Sequence, residues 1–172
     1  MTEIVNRVSE SGLLTIDLEN YSVNETLYGI DIAEQLWQGL ALKEKDFRDW
    51  IKGNNWEAYT GKKVFIYCSV DAIIPTWAYM LIGSSLVNVA ADFIVGSKDE
   101  LAQKIIKENI QKFDRNSVLD KRVVIKGCSD IVAPNFAMVE LVKHIQPVVK
   151  SIMFGEPCST VPIYKQKKKT DS

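Results

Sequence analysis

Cysteine, histidine and proline are scarce in this chain. Its 172 residues include three cysteines, one histidine and five prolines. Cysteines so few, and odd in number, exclude a disulfide scaffold and fit free thiols in a reducing compartment. There is no CxxC and no Cys–His pair at ligand spacing, so no standard metal signature is present. Charge of either sign is not in excess. Twenty-one basic and 22 acidic residues leave a net charge of −1, so no basic field speaks for a nucleic-acid partner. The opening MTEIVNRVSESG has no apolar core and no cleavage pattern. No secretory signal is therefore expected, and the expected location is the cytoplasm. The stretches GSSLVN and GSKDEL lack the glycine spacing of a nucleotide loop.

What is present suits a globular domain. Apolar residues make up 47% and charged residues 25%, ordinary values for a chain with a packed core. The length predicts a single α/β domain over residues 1–164. Residues 165–172, KQKKKTDS, form an expected basic, flexible tail. One run, residues 72–91, carries no charge and has the length of a membrane span. An internal repeat argues against that reading, and no membrane partner is expected.

The repeat places residues 62–96 over residues 121–155 at a constant offset of 59 with no gap. Identical pairs include Lys62/Lys121, Val64/Val123, Ile66/Ile125, Asp71/Asp130, Pro75/Pro134, Ala78/Ala137 and Gly96/Gly155. Each copy reads as strand, turn, helix, strand. VFIYC and VVIKG are β-branched or aromatic runs of strand length. Pro75 and Pro134 stand where a helix would start, since proline is favoured in the first turn. Copy two's helix, from Asn135 to about Val149, carries Glu140, Lys143 and His144 between apolar positions, the pattern of an amphipathic surface helix. Its charge-free counterpart should be more deeply buried or lie in a subunit contact, which makes a homo-oligomer a candidate state. The expected fold is thus α/β, with the duplicated unit on a mixed or mostly parallel sheet.

The remaining elements are read more coarsely. Residues 13–19 predict a strand, 30–37 a short helix or loop, 43–53 a helix and 97–113 a helix. The last carries a capping box from Ser97 and Glu100.

Each cysteine is followed by serine, as Cys68-Ser69, Cys128-Ser129 and Cys158-Ser159, and each follows a predicted strand. Sites in open α/β sheets form beyond the carboxyl ends of strands. If the three strands were parallel neighbours, the sulfurs could converge, with Asp71, Asp130 and Glu156 nearby. Such a thiolate and carboxylate set suits zinc or an iron–sulfur cluster. Buried structural thiols are the plainer alternative, and reactive thiols near helix N-termini are a third. Asp71 and Asp130 also read as helix caps.

The stretches CSVDAIIPTWAYMLI (68–82), KGCSDIVAP (126–134) and MFGEPCSTVPIYK (153–165) resemble an uncharacterised bacterial family, catalogued as domain of unknown function 2480. The resemblance covers nearly the whole chain and implies no activity or catalytic residue. It implies a gene neighbourhood with iron–sulfur cluster assembly, and hence iron–sulfur assembly proteins as candidate partners. The expectation is a small cytoplasmic protein with a cysteine-centred metal or iron–sulfur role. A non-enzymatic interaction module with structural cysteines and a thiol sulfur-relay enzyme are the alternatives.

Overall fold

The computed structural model describes residues 12–127, 131–156 and 158–167. The protein is α/β, with mostly parallel sheets. The duplicated strand-helix-strand unit is present, but each copy has a sheet of its own. In chain order the strands are β1 (Leu13–Asp17), β2 (Leu27–Asp31), β3 (Lys63–Tyr67), β4 (Asp92–Val95), β5 (Arg122–Lys126), β6 (Ser151–Glu156) and β7 (Ser159–Lys165). The helices are α1 (Glu44–Gly53), α2 (Thr76–Leu86), α3 (Lys98–Gln111) and α4 (Pro134–Ile145).

The chain divides into two compact units. Unit two runs from Asn24 to Ala102, and unit one takes the chain up to Val23 and again from Gln103. The sheet of unit two has the order β2-β3-β4, all parallel. That of unit one has the order β1-β5-β6-β7, parallel except for the β6–β7 hairpin.

The offset of 59 holds in three dimensions. Ala78, Ile82 and Leu86 are the buried stripe of α2, and Ala137, Leu141 and Ile145 are that of α4. The amide of Gly61 donates to the Val89 carbonyl at 3.0 Å, and that of Asp120 to Val148 at 2.8 Å. Both donors take a left-handed backbone, φ 69° at Gly61 and 54° at Asp120. Aspartate tolerates this region better than most residues. The correspondence also extends upstream of residue 62. The 3-10 turns Trp56–Tyr59 and Arg115–Val118 stand at the same offset, as do the buried Phe47 and Ile106.

The leading strands are also paired, now at an offset of 14. Leu13–Asp17 matches Leu27–Asp31, and each is followed by a 3-10 turn. Asp17 accepts the Glu19 amide at 3.0 Å, and Asp31 accepts the Ala33 amide at 2.9 Å. Both units therefore repeat one order: strand, 3-10 turn, helix, 3-10 turn, strand, helix, strand. Unit two is inserted in unit one just after its first 3-10 turn.

Several elements differ from the sequence reading. Residues 30–37 are neither helix nor loop at their start: Ile30 and Asp31 end β2, and a 3-10 turn follows over Ile32–Gln35. The charge-free run folds as α2, which stops at Leu86. Among the described residues no helix is long and apolar enough to cross a membrane. Lys165 closes β7, and the Gln166 amide donates to the Lys150 carbonyl at 2.9 Å. Residues 168–172 of the tail lie outside the described residues.

Burial explains the strand compositions. β5 buries Val123, Val124 and Ile125 in succession, as a strand covered on both faces must. β3 alternates, burying Val64 and Ile66, which join Phe47, Ile82 and Leu86 in the core of unit two. The core of unit one gathers Ile16, Leu18, Ile106, Ile125, Leu141 and Ile152.

Candidate functional site

The sequence candidates separate by unit. Cys68 follows β3 in unit two and is half-buried, packed against that unit's core. Burial pushes the Tyr79 phenol up, and the neighbouring Cys68 adds to the shift. In the second copy the position of Cys68 is taken by Gly127. A Cβ there would meet the Met138 methyl at 2.6 Å, so the copies fill the same space by different means. Asp71 is exposed and does not cap α2, whose N-cap is Pro75 with no side-chain hydrogen bond. Caps of this kind come instead from Asp17, Asp31 and Asp114, each at the start of a 3-10 turn.

In unit one, Glu156 ends β6 and pairs with Ser159, and Cys158 is exposed in the turn between them. Cys128 and Asp130 lie outside the described residues. β3 belongs to one sheet and β5 and β6 to the other. The three cysteine-bearing strand ends are therefore not neighbours in a single sheet. Among the described residues no three His, Cys, Asp or Glu side chains form a group able to hold a metal ion. His144 is committed elsewhere: its Nε2 lies 2.9 Å from the Phe113 carbonyl oxygen, and so carries the donated proton.

Charge gathers at the carboxyl end of the sheet in unit one. Lys126, on the inner strand β5, pairs with Asp17 of β1 at 3.0 Å. The hydrogen bond from Lys126, joined by the Glu19 amide, holds the Asp17 carboxyl below its ordinary value. The same bond pushes Lys126 up, with a smaller attraction from Glu156.

Two cavities flank α4, both within unit one. The first is an apolar groove of about 440 Å3. Met138, Val139 and Val142 of α4 form one wall, and Ile125, Phe154 and Ile163 of the sheet form the other, with Asn135 and Lys143 completing the lining. The second is a polar cleft of about 300 Å3 where α4 meets the end of α3, with Lys107, Arg115, Glu140 and His144 among its lining. Lys143 lines both.

The groove is not among the sequence expectations. Its signal lies in α4, where Met138, Val139 and Val142 widen the apolar arc beyond the Ala137-Leu141-Ile145 stripe, and in Ile163 of β7.

A nested duplication of parallel α/β units, with an apolar groove in one of them, defines the structural class. The model of a family described as protein of unknown function (DUF2480) matches residues 2–166, and the chain belongs to that family. No curated protein and no solved structure matches it.

Proposed function

We propose that this chain is a cysteine-centred binding protein for a thiophilic metal, zinc or the iron of an iron–sulfur system. Cys128 and Cys158 are its thiolates, and Asp130 and Glu156 are its oxygen donors. The supporting observation is the parallel pairing of β5 with β6, which sets Ile125 opposite Phe154. Neighbouring strands lie about 4.8 Å apart. The chain that runs on from β5 towards Cys128 and the turn beyond β6 that carries Cys158 leave the same end of one sheet. Soft thiolates with one or two carboxylates are a donor set for zinc. Cys68 has no part in this reading: it packs in the other unit as a small apolar residue. Reduced thiols of this kind fit the cytoplasm, and iron–sulfur assembly proteins are the partners the reading implies.

The test is elemental analysis and an absorption spectrum of the full chain purified without oxygen. The expected result is about one metal per chain, lost in Cys128→Ser and Cys158→Ser and kept in Cys68→Ser. Metal-free wild-type protein would overturn the reading. So would Cys68→Ser emptying the protein as fully as Cys158→Ser does.

A further inference from the structure

β7 has no counterpart in unit two, and it contributes Ile163 to the groove. The β2-β3-β4 sheet ends at β4, whereas the sheet of unit one continues past β6 into β7. The added strand brings Ile163 to the groove wall beside Phe154, facing Met138 and Val139 of α4. Val139 is 59% exposed and Ile163 is 51% exposed, so neither is spent on the core. Clefts that hold small ligands measure roughly 300–1,000 Å3 and are mostly apolar, with a few polar groups. This groove has that size and character.

Its charge is one-sided. Lys143 belongs both to the groove and to the adjoining cleft, where Lys107 and Arg115 add two more cations. Among the described residues the one carboxylate lining the cleft is Glu140, which takes Lys143 at 2.6 Å. Among the described lining residues, three cations stand against one carboxylate. Along α4, Asn135 and Lys143 are separated by about 12 Å of helix rise, so the apolar wall is long enough for an extended chain.

We propose that unit one binds a soluble amphipathic anion, an acyl-chain carboxylate whose tail lies in the groove between α4 and the β6–β7 hairpin. Its head sits at Lys143, facing the Lys107 and Arg115 cleft. The site stands apart from the cysteine reading and uses none of its residues.

Decanoate below its micelle concentration is the probe, titrated calorimetrically into the full chain. Saturable binding is expected, with decanol weaker by about three- to fivefold, the worth of an exposed ion pair, and acetate not binding. Val139→Glu and Ile163→Glu, on separate elements, should each weaken decanoate by at least about tenfold by putting a charge in the apolar wall. Cys158→Ser should change nothing, so loss of metal binding and loss of decanoate binding are separately read. No saturable binding, or binding indifferent to both glutamates, would overturn the proposal. Decanol binding as tightly as decanoate would also overturn it, because the occupant proposed is an anion. Sedimentation with anionic phospholipid vesicles but no binding of monomeric decanoate would make the face a membrane surface instead, and would also overturn it.

Discussion

Asp31, at the end of β2, reaches across to the loop beyond β3 and accepts the backbone amide of Ser69 at 3.0 Å. The same carboxylate oxygen accepts the Ala33 amide at 2.9 Å. One side chain thus caps its own 3-10 turn and fixes the start of the segment that holds Cys68. Burial disfavours its charge, but the bonds from Ser69 and Ala33 outweigh it and hold the carboxyl below its ordinary value.

Asp31→Ala should therefore cost about 1–2 kcal/mol in urea unfolding, the range for loss of a side-chain cap. Asp31→Asn, which keeps an acceptor, should cost less. A carboxyl whose folded pKa is depressed contributes stability that is complete above its unfolded pKa and is lost as pH falls through the folded pKa. The wild type should lose this contribution below about pH 4, and Asp31→Asn should show a flatter stability profile there. Identical acid profiles for the two proteins would refute the assignment.

Gly155 and Gly96 are equivalent positions with positive φ, 120° and 147°, where other residues are strained. Their surroundings differ. A Cβ on Gly155 would meet the Ser159 carbonyl oxygen at 2.6 Å, whereas one on Gly96 would meet the Glu100 carboxylate, which can move. Gly155→Ala should cost about 2–3 kcal/mol, and Gly96→Ala less. Thermal unfolding of the two variants checks the order, and the reverse order would contradict it.

The repeated cores permit a paired test. Ile82 and Leu141 occupy the same place in the two copies, each fully buried at 0% exposure. Alanine at either should cost about 2–5 kcal/mol. Met80→Ala, at a side chain 69% exposed on the outer face of α2, should stay within about 0.5 kcal/mol. Denaturant titration of the three variants distinguishes burial from mere apolarity.

The features legible in the sequence are those written locally. Ser97 and Glu100 form their capping box, the Ser97 amide donating to Glu100 at 2.6 Å and the Glu100 amide to the Ser97 hydroxyl at 3.2 Å. The β-branched runs of β3 and β5 and the proline-led helices gave the duplicated units their register. β2 was obscured by Gly29, which is needed because a Cβ there would strike the Phe65 ring at 2.7 Å. β7 was obscured by Pro162, a residue that strands accept chiefly at a sheet edge, and β7 is an edge strand. The division into two sheets was beyond reach. It depends on β1 choosing β5 and β2 choosing β3, pairings between strands far apart in the chain that no local period records. The groove was missed for the same reason, since its walls come from separate segments.

The insertion of unit two inside unit one has a consequence for synthesis. β1 ends at Asp17 and its partner β5 begins at Arg122. At about 5–20 residues per second, ribosomes take roughly 5–20 s to make the stretch between them. Through that interval the apolar strand made from Leu13 to Asp17 has no neighbour, while unit two, continuous in the chain, emerges complete. β1 waits for the whole of the other unit before it can meet β5, so the newborn chain is open to unwanted strand pairing along Leu13–Asp17 during that interval.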